Sequence, residues 1–266
     1  MGRVVGFCLE GYWERVILEL LEWCVTPATW KARSRGFLAG QIAIRHRAHR
    51  CRAAWRSHLD ACRAFVAARL SACNHGNDLV ILGSGHLHDF DLAFLKTRFV
   101  HITLVDAVHP VEIQVQACLS QGRLRLVASD ISACSPALSA LVDAADLVVS
   151  SCLLSQLPLH LEDYRQARCN DEATTAITDP VFAAHLALLG RARRSILITD
   201  TAQRFAADSP WRPLLDGFEL LHPISTWIWK IAPRGEHGQE TEERMVEAFY
   251  FERDQGAAAS RHSGTK

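Results

Sequence analysis

The chain has 266 residues, of which 49% are hydrophobic and 22% charged, and its formal net charge at pH 7 is zero. This composition is typical of a soluble globular protein and excludes an intrinsically disordered chain. No apolar run reaches the roughly 18 residues of a membrane-spanning helix, and acidic residues within the first apolar pattern argue against a secretory signal segment. Nine scattered cysteines without a C-x-x-C pair favour reduced thiols in a cytoplasm over disulfides or a zinc site.

The N-terminal part of the chain has the apolar spacing of helices. The pattern predicts an amphipathic helix over residues 8–25 and a shorter helix over 28–39. From Gln41 to Ala72, apolar residues recur every three or four positions, which predicts one long helix with a single dry face. We therefore expect residues 1–75 to form a helical appendage that packs over the mouth of the following domain.

The stretch from residue 31 to 69 is strongly basic, with ten Lys or Arg residues against one Asp. Four of its arginines form a stripe along the predicted long helix: Arg45, Arg52, Arg56 and Arg63. This stripe predicts either a docking surface for nucleic acid, anionic lipid or an acidic substrate, or a solvated face that pairs with acids of the same chain. The second interpretation is favoured, because charge runs are usually solvated faces. Its candidate partners are Glu236, Glu240, Glu242, Glu243 and Glu247.

From residue 78 onward, strand and helix patterns alternate. The predicted strands are Leu79–Leu82, His101–Val105, Leu124–Ala128, Leu147–Ser150 and Ser195–Thr199, and the predicted helices begin at Asp89 or Asp91, Val111, Pro136 and Val181, the last with Asp179-Pro180 as its cap and first residue. Such alternation with continuous apolar strands predicts a parallel sheet covered on both faces. Two later apolar runs, Thr226–Ala232 and Met245–Phe251, predict a C-terminal antiparallel hairpin. Residues 255–266 have the composition of a disordered tail.

The first strand of this region enters a glycine turn, Gly83-Ser84-Gly85, and the second strand ends on Asp106, 23 positions after Gly83. Glycine allows the backbone to approach a ligand closely, because it has no Cβ. A carboxylate at the tip of the second strand can accept both hydroxyl hydrogens of a ribose. The spacing therefore predicts a nucleotide-like ligand held between the turn and a carboxylate that faces it.

Two classes of cofactor are compatible with this unit. A dinucleotide fingerprint requires a third glycine, where this chain has His88, and the next residue, Asp89, would repel a pyrophosphate. A nicotinamide-dependent oxidoreductase is therefore disfavoured. With its looser G-x-G turn, its spaced acid and its terminal hairpin, the chain resembles the class I S-adenosylmethionine-dependent methyltransferases, in particular an uncharacterised bacterial group with an "LGSG…D…LVD" core.

The resemblance covers residues 76–254 and implies a Rossmann-like, doubly wound α/β fold that binds S-adenosylmethionine. It implies that the turn of Gly83, Ser84 and Gly85 contacts the cofactor and that Asp106 binds its ribose. Asp130 and Ile131 would contact the adenine, and Ser151 and Cys152 would lie near the methyl group. The chain has Ser-Ser-Cys-Leu-Leu where many relatives that methylate bases or amides carry Asn or Asp with Pro-Pro-Tyr-like residues, which weakens the case for those acceptors.

Other polar residues are weaker candidates. His86, His88 and His109, with Asp89 beside them, could supply a general base or a metal site, or could simply be loop residues. Gln156, His160 and Tyr164 lie on a long polar connection, and Asp200 and Arg204 follow the fifth strand, so all five are possible acceptor contacts.

The sequence thus predicts a cytoplasmic methyltransferase that transfers a methyl group to an unidentified O, N or S acceptor, with no resident metal. The alternative is a catalytically inactive protein with the same fold, which docks on nucleic acid or a protein partner through its basic helix.

Overall fold

The computed structural model describes residues 18–72, 76–157, 175–215, 220, 222–236 and 240–253. Its N-terminal part is helical, with a helix that includes residues 18–25 (α1), followed by α2 (Trp30–Ser34), α3 (Phe37–Arg50) and α4 (Arg52–Ser71). The single long helix predicted over residues 41–72 was wrong, because the chain leaves helical geometry at Cys51 (φ −92°, ψ 10°). Cys51 is buried, so the apolar spacing runs through the break and does not reveal it.

Strands and helices alternate from residue 76, as predicted. The elements are β1 (Gly76–Leu82), α5 (Leu92–Arg98), β2 (Phe99–Asp106), α6 (Val111–Cys118), β3 (Leu124–Ala128), α7 (Pro136–Ala144), β4 (Leu147–Ser151), α8 (Thr175–Arg191), β5 (Arg194–Arg204), β6 (Arg212–Pro213), β7 (Ser225–Ala232) and β8 (Glu242–Glu252). Short 3-10 turns follow β3 (Ile131–Ala133) and β4 (Leu154–Gln156).

The prediction that α8 begins at Asp179-Pro180 was also wrong. The helix already begins at Thr175 and contains Pro180. A proline this close to the N-terminus removes one hydrogen bond to the preceding turn and does not prevent the helix from extending further upstream.

All eight strands belong to one sheet, in the order β3-β2-β1-β4-β5-β8-β7, with the short β6 paired to β5. The first five strands of this order are parallel, and β8 pairs antiparallel with both β5 and β7. A parallel sheet that ends in an antiparallel hairpin confirms the predicted fold class.

Strand β1 lies at the centre and is buried on both faces. Leu79 and Ile81 pack in one core with residues of α4 and α5, whereas Val80 and Leu82 pack in a second core with residues of α7 and α8. This alternation is what a strand covered by helices on both sides requires.

The connections place the switch in strand order between β1 and β4. From β1 the chain proceeds to β2 and β3 on one side and then returns to β4 on the other. In open α/β sheets, ligands bind in the crevice outside the carboxyl ends of the strands at such a point.

Helix α4 packs against β7, and the indole N–H of Trp55 donates to the carbonyl of Ile231 at 2.9 Å. The N-terminal helices are therefore joined to the sheet by buried contacts. Among the described helices, none combines the length and apolar character needed to span a bilayer.

Candidate functional site

A cavity of about 420 Å³ opens at the carboxyl ends of β1 to β5. Its volume falls within the roughly 300–1,000 Å³ range of small-molecule sites. The lining includes all eight residues that the sequence predicts as cofactor contacts: Gly83, Ser84, Gly85, Asp106, Asp130, Ile131, Ser151 and Cys152. These residues come from four separate loops, which the parallel strands bring to one edge.

The glycine turn follows β1 with both glycines in left-handed geometry, at φ +67° for Gly83 and +46° for Gly85. The N–H groups of Gly83 and Ser84 both donate to the carbonyl of Val105, which ties the turn to the end of β2. A Cβ on Gly83 would lie 2.8 Å from the side chain of Leu153. Position 83 therefore favours glycine for its backbone angle, and a larger residue would also displace the side chain of Leu153.

Asp106, the last residue of β2, directs its carboxylate at this turn. Its Oδ2 accepts the N–H of Gly85 at 2.8 Å and the side-chain amide of Gln41, from α3, at 3.2 Å. Burial raises the pKa of Asp106, and the hydrogen bond from Gly85 opposes this rise. The carboxylate that was predicted to face the turn is thus in direct hydrogen-bond contact with it. The contact with Gln41 was not predicted from the sequence.

Asp130 follows β3 and, like Asp106, contacts both a neighbouring backbone N–H and a residue of the N-terminal helical region. Its side chain caps the 3-10 turn by accepting the N–H of Ser132, and the guanidinium of Arg35 forms an ion pair with it. Ile131, next to it, is buried at the cavity wall. Residues of the N-terminal helical region therefore contact both acids predicted to bind the cofactor.

The end of β4 presents a carboxylate from a different loop. The hydroxyl of Ser151 donates to Oδ2 of Asp89 at 2.8 Å, and both residues line the cavity with Cys152. Cys152 has a positive φ of +50°, which is uncommon for a residue with a side chain. Ser150 lies on the other face of β4, where its hydroxyl contacts Nε2 of His185 at 2.9 Å.

The predicted group of three histidines is only partly assembled. His86 and His88 line the cavity with their rings stacked at 5.3 Å, and Nδ1 of His86 lies 2.7 Å from Glu112. Burial lowers the pKa of His88. His109 is buried but does not belong to the described cavity lining, so the three rings do not form one site.

Of the residues predicted as acceptor contacts, some line the cavity and others do not. Asp200 and Gln156 line the cavity, and Asp200 is paired with Arg244 at 2.9 Å and accepts the hydroxyl of Ser155. Arg204 instead pairs with Glu243 and stacks on Trp211, so its charge is already compensated. His160 and Tyr164 lie outside the described residues.

A buried group of His58, Cys62 and Cys152 lies beside the cavity and was not predicted. The three side chains place their nitrogen and sulfur atoms within 4.8 Å of one another. Two of them come from α4 and the third from the end of β4, so no local motif in the sequence could have revealed the group.

The basic stripe is partly engaged within the chain. Glu236 pairs with Arg50 and Arg47, Arg45 pairs with Glu22, and the guanidinium of Arg63 donates to the carbonyl of His88. Arg52 and Arg56 are exposed. Of the acids predicted to neutralise the stripe, Glu236 pairs with Arg47 and Arg50, which lie in the same basic stretch but outside the stripe. Glu242 and Glu243 pair instead with arginines of the sheet, Arg244 and Arg204.

Two buried atoms bear on whether a polar ligand fits this cavity. The hydroxyl of Ser84 and the side-chain oxygen of Gln41 have no hydrogen-bond partner among the described residues, and both residues line the cavity. Buried polar atoms are normally satisfied. Unpaired polar atoms in the cavity lining fit a ligand with hydroxyl and amino groups, such as S-adenosylmethionine.

Comparison with protein families and with curated proteins gives no match. Comparison with solved structures finds methyltransferases. One is 1,6-didemethyltoxoflavin-N1-methyltransferase from Burkholderia thailandensis with bound 1,6-didemethyltoxoflavin and S-adenosylhomocysteine, at 16% identity over 78% of this chain and 86% of that chain, with a TM-score of 0.41. Another is the methyltransferase domain of bacterial CtHen1, at 16% identity over 70% and 96%, with a TM-score of 0.34.

A third is an S-adenosylmethionine-dependent methyltransferase from Leishmania major, at 13% identity over 88% of this chain and 83% of that chain, with a TM-score of 0.35. The sheet of this chain, which is parallel and ends in an antiparallel hairpin, is the one that the predicted resemblance to the class I methyltransferases implies.

Proposed function

We propose that this protein is an S-adenosylmethionine-dependent methyltransferase that acts on an O, N or S atom of a small or macromolecular acceptor. One observation carries the proposal. The carboxylate of Asp106 faces the Gly83–Gly85 turn inside a cavity at the switch point of the sheet, where β3 supplies a second acid, Asp130.

The cofactor is the one that the class I resemblance implies. Its ribose hydroxyls would donate to Asp106, and its adenine would lie against Ile131 with its amino group toward Asp130. Its amino-acid tail would lie along the turn, where Ser84 offers an unpartnered hydroxyl. Arg35 and Gln41, which contact the two acids, would have to exchange or share these contacts when the cofactor binds.

The sulfonium of the cofactor supplies an activated methyl group, so the protein has mainly to position the acceptor and, where needed, remove its proton. Among the four acids of the cavity lining, Asp106, Asp130 and Asp200 each have an amide or guanidinium partner. Asp89 accepts a hydroxyl from Ser151. We assign Asp89 as the carboxylate that receives the acceptor proton, because among the described residues it accepts fewer hydrogen bonds than the other three.

We also propose the division of the chain into a helical appendage (residues 1–75) and a catalytic domain (residues 76–254). Gln41 and Arg35 of the appendage contact the two acids that we propose to bind the cofactor. This arrangement favours an enzyme over the alternative of an inactive docking protein, because the helices that carry the basic residues also close the cavity.

Isothermal titration of the full chain with S-adenosylmethionine, S-adenosylhomocysteine and NADH tests the cofactor. We expect heat with the first two ligands at one site per chain and none with NADH. Absence of heat with both methyl cofactors in folded protein would overturn the proposal, and binding of NADH alone would favour an oxidoreductase.

The role of Asp89 is tested by transfer of labelled methyl groups from S-adenosylmethionine to a cell extract. The variant Asp89→Asn should lose at least about tenfold in transfer and keep its affinity for S-adenosylhomocysteine. The exposed residue Asp60 provides the control, since Asp60→Asn should change neither quantity.

A further inference from the structure

The buried group of His58, Cys62 and Cys152 has a geometry that the proposed methyl transfer does not use. Nε2 of His58 lies 3.7 Å from the sulfur of Cys62 and 3.7 Å from the sulfur of Cys152. All three side chains are at least nine-tenths buried. Cys152 nevertheless lines the cavity, whereas Cys62 and His58 lie behind it.

Two tryptophans from β7 fix the imidazole of His58. Its ring stacks on Trp229, with centroids 4.1 Å apart and planes 8° from parallel. The indole N–H of Trp227 donates to Nδ1 at 3.0 Å. An indole nitrogen can only donate, so Nδ1 must carry a lone pair and the proton of the neutral ring must lie on Nε2.

This tautomer decides between two uses of the group. A metal ion bound through Nε2 would require that proton to move to Nδ1, where it would meet the N–H of Trp227. The same tautomer directs an N–H toward both sulfur atoms, which stabilises a thiolate on either of them. The geometry therefore favours thiol chemistry over metal coordination.

The two thiols share one hydrogen-bonded environment. The hydrogen bond from Cys152, followed by that from His58, lowers the pKa of Cys62 although burial opposes this. The contact with Cys62 and burial both raise the pKa of Cys152 well above its ordinary value. Of the two thiols, Cys62 is therefore the one whose surroundings favour loss of the proton. Cys152 is held with left-handed backbone geometry at this point, and strained residues of this kind concentrate at functional sites.

We propose that Cys62 and Cys152 form a reversible dithiol–disulfide site that is oxidised by hydrogen peroxide entering through the cavity. One thiolate attacks a peroxide oxygen, the O–O bond breaks, and the leaving hydroxide takes a proton to become water, which leaves a sulfenic acid. The second sulfur attacks this sulfenic sulfur and forms the S–S bond, the S–OH bond breaks, and the departing hydroxide takes the proton of the second thiol to become a second water. The two thiols lose two electrons and the peroxide gains them.

The resulting bond would join α4 to the end of β4 at the wall of the cavity. A disulfide needs about 2.0 Å between its sulfurs, so both side chains must turn toward each other from their present positions. This proposal does not depend on the identity of the cofactor, since it concerns only the side chains of the protein.

The test is peroxide treatment of the native full chain, alkylation of the remaining thiols under denaturing conditions, and mass spectrometry of the non-reduced digest. We expect a Cys62–Cys152 cross-linked peptide that dithiothreitol removes. The exposed cysteines provide a matched control, because Cys118→Ser should keep the cross-link and Cys62→Ser should abolish it. Oxidation of Cys24 and Cys118 while Cys62 and Cys152 stay fully alkylated would overturn the proposal.

Two further measurements address the roles of the imidazole and of metal. The variant His58→Phe keeps a ring against Trp229 and removes the N–H, so the cross-link should form about tenfold more slowly. In a titration with Zn²⁺, the unmodified protein and Cys62→Ser should bind the same number of Zn²⁺ ions tightly. If the unmodified protein bound one more ion than Cys62→Ser, the group would be a metal site and the disulfide proposal would be overturned.

Discussion

The two ends of the cavity are built in different ways. At the cofactor end, the carboxylate of Asp106 accepts the backbone N–H of Gly85 as well as the amide of Gln41, and the turn itself is tied to the carbonyl of Val105. At the β4 end, the reactive groups contact side chains: the carboxylate of Asp89 accepts a serine hydroxyl, and the sulfur of Cys152 lies against a histidine ring. Backbone contacts tolerate changes of side chain that leave the chain path unaltered, whereas side-chain contacts do not.

The difference suggests how such a protein can vary. The cofactor end depends on a few glycines and acids at the tips of neighbouring strands, so its requirements are strict but few. The β4 end depends on a set of side chains from α4, β4 and β7, each of which can be replaced. We therefore expect substitutions at the cofactor end to remove binding outright, and substitutions at the β4 end to change reactivity.

The largest effect should follow from a side chain at Gly83. In the variant Gly83→Val, the positive φ strains the backbone of the turn, and the new Cβ lies 2.8 Å from the side chain of Leu153, which must shift. We expect the affinity for S-adenosylhomocysteine, measured by calorimetry, to fall by more than about 100-fold, or roughly 3 kcal/mol.

The matched control is Gly122→Val. Gly122 also has a positive φ, of +83°, but a Cβ there meets nothing within 4 Å, and the residue does not line the cavity. This variant should lose about 1–2 kcal/mol of stability from backbone strain and keep its cofactor affinity. Equal affinities for the two valine variants would show that the turn at Gly83 does not contact the cofactor.

Near β4, the expected effect is a pH dependence of the free energy of unfolding. Burial lowers the pKa of His185, which contacts Ser150 on the other face of β4, to about 4. Unfolding returns this histidine to its ordinary pKa near 6.5, so below that pH the unfolded chain binds more protons than the folded one. The free energy of unfolding should therefore fall by about 3 kcal/mol between pH 6.5 and pH 4 on account of His185.

Urea unfolding at pH 7.0 and pH 4.5 isolates this contribution. The variant His185→Gln should lose most of the pH dependence that His185 causes, whereas His101→Gln should keep it, because His101 is exposed. If His185→Gln and the unmodified protein lose stability equally on acidification, the histidine is not held neutral by burial.

A change at Asp106 should be smaller than one at Gly83, because the turn keeps its path. In Asp106→Asn, one oxygen can still accept from Gly85, but the charge that would receive the ribose hydroxyls is lost. Charge-assisted hydrogen bonds contribute about 1.5–3 kcal/mol each, so the affinity for S-adenosylhomocysteine should fall by about 10- to 100-fold. Asp143→Asn, which breaks an exposed ion pair with Arg191, should leave the affinity unchanged.

The same comparison explains which parts could be predicted from the sequence. The β1–β2 unit could be predicted because its signals are local: an apolar run, a glycine turn and an acid at the next strand tip. The parallel sheet and its closing hairpin could be predicted from the alternation of elements and from where that alternation ends. The break at Cys51 and the extension of α8 before Pro180 could not, because a buried cysteine and one proline leave the apolar spacing intact.

The contacts of the N-terminal helices escaped prediction for a different reason. Arg35 and Asp130 are 95 positions apart, and His58 and Cys152 are 94 apart, so only the packing of α2 to α4 on the sheet brings them together. No spacing rule connects residues across such separations. What the sequence did show was the unusual basic content of this region, although much of that charge is used in ion pairs within the chain.

The smallest effect, and the most informative about the appendage, concerns Gln41. Its amide donates to the same oxygen of Asp106 that accepts from Gly85, so it competes with a ribose hydroxyl for that acceptor. Since a neutral hydrogen bond contributes about 0.5–1.5 kcal/mol net, Gln41→Ala should tighten the binding of S-adenosylhomocysteine by roughly two- to tenfold. Calorimetry can resolve this change, and Gln114→Ala, on α6 outside the cavity, is the matched control. A loss of affinity in Gln41→Ala would instead show that the amide stays in the site and contacts the cofactor, which would make the appendage a part of the binding surface and not a competitor for it.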